Sequence, residues 1–215
     1  MTDINLAQAF IAFLVLLFSL TVHESAHALT ADRLGDPTAR LLGRVSLNPA
    51  VHADLVGTVI FPLLTFVTGV PLIGWAKPVP VSTAKLRHPR RDQVLVAAAG
   101  PASNLVLAVA AAVALSVVPV FPPSIAAPGV LGALGVLLGR AVQINVLLAV
   151  FNLIPIPPLD GGNVLFGLLP PRLAASFDRL RPYGFMLLYA LMLLGGLEYL
   201  VAPPYRLLVS WLPGW

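Results

Sequence analysis

Apolar residues in this chain come in long unbroken runs rather than at helical or strand spacing. Four runs, from about Leu6 to Leu29, Asp92 to Val118, Val130 to Leu153 and Tyr183 to Val201, dominate the pattern. Each is near the roughly 20 residues that a helix needs to cross a bilayer. A fifth run, Leu55 to Ile73, is interrupted by Pro62, Gly69 and Pro71 and followed by Gly74. Pro and Gly at membrane depth mark discontinuous or re-entrant segments. The pattern predicts an all-α polytopic membrane bundle of four full transmembrane helices plus a re-entrant or interfacial segment. Connections are short, with Pro-rich breaks at residues 119–123 and 155–158, so residues 1–215 read as one domain.

Composition agrees with the pattern. Hydrophobic residues make up 58% and charged residues 10%, with a mean hydropathy of +0.91, outside the soluble range of roughly 45–50% apolar and 25% charged. The net charge of +4 is spread over short loops, which suits an anionic lipid surface and gives no basic stripe for nucleic acid. Cysteine is absent, which excludes disulfides and thiolate metal sites. The first run is too long for a signal-peptide core and is preceded by Asp3 rather than by positive charge, so it is expected to be retained as a helix.

The cations also predict orientation. Arg33, Arg40 and Arg44 follow the first run; Lys77, Lys85, Arg87, Arg90 and Arg91 precede the second; Arg172, Arg179 and Arg181 follow the third. The loop from Pro119 to Gly129 carries no charge. By the positive-inside rule the cationic loops are cytoplasmic, with the charge-free loop and the N-terminus outside, in a multi-pass cell-membrane protein. Residues 55–73 then have cytoplasmic charge on both sides and must enter and leave on one face.

One position breaks the first run. Between Asn5 and Asp32 the only formally charged side chain is Glu24, and an ionised group inside a membrane helix costs about 2.5 kcal/mol or more, so it calls for a function. Glu24 lies within His23-Glu24-Ser25-Ala26-His27. At 3.6 residues per turn the two histidines project from one face, close enough to share a Zn²⁺, while Glu24 beside them can act as general base on a bound water. The chain has four His and two Glu in all, so this register is not readily assigned to chance. With His23 a few residues from Asp32, the metal is expected roughly 10–15 Å below the cytoplasmic surface.

Such a zinc takes a third ligand and leaves a fourth position for water. Asp160 is the best candidate: the prolines at 155, 157 and 158 force an extended exit from the third run, and Gly161 and Gly162 permit a bend that turns the carboxylate back. The competing reading is an ordinary loop in which Asp160 caps the next helix. Local sequence leaves both open.

His23-Glu24-Ser25-Ala26-His27 in a first helix, Ala99-Gly100-Pro101-Ala102-Ser103-Asn104 opening a later one, and Phe151-Asn152-Leu153-Ile154-Pro155 leading to Leu159-Asp160-Gly161-Gly162 together resemble the site-2 protease family of intramembrane zinc metalloproteases. The resemblance covers about Phe10 to Gly162. It implies that His23, His27 and Asp160 bind one Zn²⁺, that Glu24 activates the water, and that Asn152 contacts substrate backbone or the tetrahedral intermediate. It further implies that residues 74–80, Gly-Trp-Ala-Lys-Pro-Val-Pro, form a short extended hairpin near the active site, and that the substrate is a transmembrane protein or peptide. The chain looks like a minimal member without a PDZ or nucleotide-sensing module.

Other polar residues have plainer expected uses: His52 as a surface or capping group in preference to gating the site, His88 as part of a solvated charge run, Arg140 in interior pairing or snorkelling, and Asn104 in helix–helix packing in preference to an active-site contact. Two other function classes fit the composition. A small transporter should show paired, symmetry-related segments, and no internal repeat is found. A catalytically inert membrane chaperone of the same fold would be expected to lose Glu24 first.

Overall fold

The computed structural model describes residues 6–68, 74–117 and 130–214, without the side chains of 66 and 67. The charge-free loop, the Pro-rich break at 119–123, Asp3 and the end of the fifth apolar run lie outside the described residues.

Ten α-helices are described: α1 Leu6–Arg33, α2 Thr38–Leu41, α3 Pro49–His52, α4 Phe61–Thr68, α5 Pro89–Val117, α6 Val130–Asn152, α7 Asp160–Leu168, α8 Pro171–Asp178, α9 Gly184–Leu193 and α10 Gly196–Ser210. Among the described residues no strand occurs, and residues 74–82 run without regular secondary structure. Helices α1, α5 and α6, of 28, 29 and 23 residues, are each long and apolar enough to cross a bilayer.

The fourth expected span is not one straight helix. The run from Tyr183 to Val201 divides into α9 and α10 at Leu194 and Gly195, where Gly195 adopts φ 74°. The stretch Pro171–Leu193, which ends in α9, and α10 are bent by 83°, so they make a broken span or a re-entrant loop. A left-handed φ is open to glycine without steric cost, and it ends α9 inside an apolar run that hydropathy alone reads as continuous.

Helices α1, α5 and α6 pack mutually, α7 lies on α5, and α10 lies on α6. Small residues dominate their contacts: Ala28, Ala31, Ala97, Ala108, Ala111, Ala112 and Ala149 are buried, as are Gly132 and Gly135 of α6. Where lipid is as apolar as the side chains, close backbone approach rather than hydrophobic burial holds helices together. The large apolar groups face outward instead, among them Phe10, Leu14 and Phe18 of α1 and Val106, Val109 and Val113 of α5.

The segment after α3 begins as a π-helical turn, Leu55–Ile60, capped by the Asp54 carboxylate and continuing into α4. Its two ends meet. Trp75 N–H donates to Gly57 O at 3.2 Å, Thr58 Oγ1 donates to Trp75 O at 2.8 Å, and Lys77 N–H donates to His52 O at 2.8 Å. A side chain on Gly57 would overlap Trp75, so a glycine is needed for this closure. The chain therefore leaves and returns at the same place, as an excursion between flanking cationic loops requires.

Candidate metal centre

His23, Glu24 and His27 lie in the C-terminal half of α1, on the turns that face α5. Burial leaves His23 4% and His27 8% exposed, while Glu24 is half-buried. Asp160 reaches them from the far end of the chain. After α6 ends at Asn152, the segment 153–159 folds into tight turns and α7 starts at Asp160. Its carboxylate caps nothing: α7 has Leu159 at the capping position and no side-chain cap. Gly161 and Gly162 act differently from expectation. Both are helical, and neither has a positive φ. Their role is close approach, because a Cβ on Gly161 would overlap the Leu153 carbonyl and one on Gly162 would lie 2.7 Å from Pro157 N. This packing aims α7, and with it Asp160, at α1.

Asp160 Oδ2 lies 3.1 Å from His23 Nε2 and 3.3 Å from His27 Nε2, and the two Nε2 atoms are 3.0 Å apart. Three atoms bound to one tetrahedral zinc at about 2.0–2.2 Å stand roughly 3.3–3.5 Å apart, close to this triangle. The protonation pattern points the same way. His27 Nδ1 donates to the Val96 carbonyl at 2.7 Å, and His23 Nδ1 donates to Asn104 Oδ1 at 2.6 Å. In a neutral imidazole the other nitrogen then carries a lone pair. Two such lone pairs and a carboxylate oxygen converge on one point, and Asp160 Oδ2 is buried with no hydrogen-bond donor. A bound cation, or a proton shared between an imidazole and Asp160, satisfies that arrangement.

Space for the ion is provided by α5. A Cβ on Gly100 would overlap the Nε2 atoms of both His27 and His23, so only glycine at this position leaves room between the helices. The His-His-Asp set fits Zn²⁺ in donor type and spacing, with no thiolate in the chain to compete.

The three side chains and Glu24 line a cavity of about 600 Å³, together with Asn152, Trp75 and Val79. Glu24 Oε2 accepts from the Val79 N–H at 3.2 Å, which places the irregular segment 74–82 against the site. That segment is held from behind. Arg44, 6% exposed, donates to Lys77 O at 2.5 Å and to Pro78 O at 3.3 Å, and Asp36 accepts from Ser82 N–H at 2.5 Å. Asn152 uses Nδ2 within its own helix, donating to Leu148 O at 3.0 Å.

Several residues play parts that their local sequence did not reveal. Asn104 bonds a histidine of the site rather than serving only to pack helices. His52 is not at the surface but 2% exposed, with Nε2 2.8 Å from Ser46 O and 3.3 Å from Ser25 Oγ. His88 is exposed, and its backbone N–H is capped by Asp92. Arg140 donates to Gln143 Oε1 at 3.1 Å and lines a separate cleft between α6 and α10.

Comparison with known proteins agrees with this geometry. The model of peptidase family M50 matches residues 11–128 and 130–195. The chain is 37% identical over 178 residues, 83% of its length, to "Putative zinc metalloprotease YwhC" of Bacillus subtilis, of which it covers 78%. It is 32% identical over 180 residues to "Putative zinc metalloprotease Rip2" of Mycolicibacterium smegmatis and 34% identical over 178 residues to the protein of that name from Mycobacterium tuberculosis. Each of these alignments takes in 82% of the chain and 64% of the mycobacterial protein. No solved structure matches.

Proposed function

The chain belongs to peptidase family M50, the site-2 protease family, and from that premise we propose that it is an intramembrane zinc metalloprotease cutting peptide bonds within or near transmembrane segments of membrane proteins. The observation that carries this reading is the convergence of the His23, His27 and Asp160 donor atoms beside Glu24 in one cavity.

In this reading His23, His27 and Asp160 would hold the ion, with Glu24 beside them in the same cavity. Bound there, Zn²⁺ would supply Lewis acidity, lowering the pKa of a bound water toward about 7. Glu24 takes the proton from that water and later delivers it to the leaving amine. The Val79 N–H orients the Glu24 carboxylate through Oε2. Asn152, on the same cavity wall, contributes its amide to the substrate backbone or to the developing oxyanion.

A substrate helix hides its amides in its own hydrogen bonds, so it must unwind locally before attack. Segments with helix-weakening residues are the expected targets. The extended backbone at 74–80, held by Arg44 beside Glu24, is a partner with which an unwound strand can pair. We place the site toward the cytoplasmic face of the cell membrane, where the cationic loops lie. In the same reading, four crossings are made by α1, α5, α6 and the α9–α10 pair. An inert chaperone of the same fold has no use for an aligned general base.

The test is zinc content of the purified protein together with cleavage of a single-span membrane substrate by wild type and by Glu24→Gln. Stoichiometric zinc with cleavage only by wild type is expected. Equal cleavage by both would overturn the assignment of the base.

A further inference from the structure

The two histidines of the site are held by different means. His27 Nδ1 bonds a main-chain carbonyl, that of Val96, which can only accept. His23 Nδ1 faces the side-chain amide of Asn104, and an amide can present either an acceptor or a donor depending on which way it is turned. If Asn104 turned its NH₂ to His23, that ring would carry its proton on Nε2 and could not ligate.

The orientation of Asn104 is decided further along. Its Nδ2 donates to Asn145 Oδ1 at 2.8 Å and, more weakly, to Ser19 O at 3.4 Å. Asn145 is set in turn, because its Nδ2 donates to the Ala141 carbonyl one turn back in α6, at 2.8 Å. Asn104 is fully buried and Asn145 is 2% exposed, so water cannot substitute for either partner. Every bond in the row runs one way: His23 to Asn104, Asn104 to Asn145, Asn145 to Ala141 O. A main-chain acceptor on α6, helped by the more distant Ser19 carbonyl on α1, thus sets which nitrogen of His23 carries the proton.

We infer that Asn104 and Asn145 form a relay that locks His23 in the tautomer able to bind the metal, with Asn145 a positioning residue that touches neither ligand nor substrate. The inference rests on the zinc reading of the site above. A metal-ligating histidine depends on the acceptor at its other nitrogen, and loss of such a partner costs about 10–100-fold in metal affinity. Asn145→Leu, close in volume, removes the stronger of the two acceptors that hold Asn104 Nδ2 and leaves only the 3.4 Å bond to Ser19 O. Asn145→Asp keeps the shape and a carboxyl oxygen able to accept from Asn104.

The experiment has two readouts on the full-length protein in detergent. The first is zinc affinity by competition with a fluorescent chelator. The second is the ¹⁵N spectrum of histidine-labelled, zinc-stripped protein, tractable because the chain has four histidines. Asn145→Leu is expected to bind zinc about 10–100-fold more weakly and to shift His23 toward the Nε2-protonated form, with His27 unchanged. Asn145→Asp is expected to restore both. Wild-type affinity in Asn145→Leu, or an unchanged His23 tautomer, would overturn the relay. A wild-type protein that binds no zinc would instead sink the metalloprotease reading, while the ¹⁵N spectrum would still decide the relay.

Discussion

The Arg44 guanidinium donates to the carbonyl oxygen of Lys77 at 2.5 Å, joining the two cationic loops that flank residues 55–73. The intervening segment thus begins and ends in one place. A full crossing by it would separate these loops by about 30 Å of hydrocarbon. It would also move Asp160 to the opposite face from the histidines, if α5 and α6 supply the next two crossings.

Cysteine labelling checks this topology directly, since the chain has no cysteine of its own. Leu42→Cys and Lys77→Cys, both at exposed positions, should react with an impermeant reagent from the cytoplasmic side only. Labelling from opposite sides would break the topology and the metal assignment together.

Glu24→Gln should retain zinc and fold, because Glu24 stands beside the ligand triangle and a glutamine oxygen can still accept from Val79 N–H. Proton transfer is lost, and cleavage should fall below about a tenth of wild type. Zinc analysis and a cleavage assay on the same preparation separate the two effects.

Gly100→Ala places a methyl group against both Nε2 atoms. The expected outcome is a helical, membrane-inserted protein whose zinc affinity falls at least about 100-fold, beyond the effect typical of losing an outer partner. Circular dichroism and chelator competition read the two properties independently.

Asn152→Ala should lower turnover by about 10²–10³, the loss typical of one oxyanion donor, with zinc content unchanged. A single-turnover cleavage assay is the measurement, and wild-type turnover would remove Asn152 from the site.

Asp36 gives the strap at residues 74–82 a pH dependence. Burial raises the Asp36 pKa, but hydrogen bonds from Thr38 Oγ1, Ser82 N–H and Thr38 N–H outweigh it, and the nearby Lys85 adds to them, so the carboxyl is held below its usual range. A depressed acid stabilises the folded arrangement above its ordinary pKa of about 3.9 and loses that contribution as pH falls through the lower, folded value. The Ser82 amide should therefore stay protected near neutrality and open below about pH 4. Asp36→Ala should remove the protection at neutral pH. Hydrogen exchange at Ser82 is the observable.

The sequence by itself determined what depends on neighbours a few residues apart. Runs of about 20 apolar residues specify α1, α5 and α6, whose observed ends depart from the apolar runs by one to four residues, or not at all. The i, i+4 spacing of His23 and His27 puts both on one helix face, where their nitrogens are found 3.0 Å apart. Tertiary structure decided the rest. Whether Asp160 caps α7 or faces the histidines depends on the packing of Gly161 against Leu153, which no local pattern encodes. The break at Gly195 falls in a Gly195-Gly196 pair, a turn signal that the apolar residues on both sides masked, because glycine can also sit within a helix. Asn104 reads as a packing residue, and nothing local singles out Asn145, because an amide's role is set by what it faces. Their partners lie 81 and 41 positions away along the chain, and only the docking of α1, α5 and α6 brings them within hydrogen-bond reach.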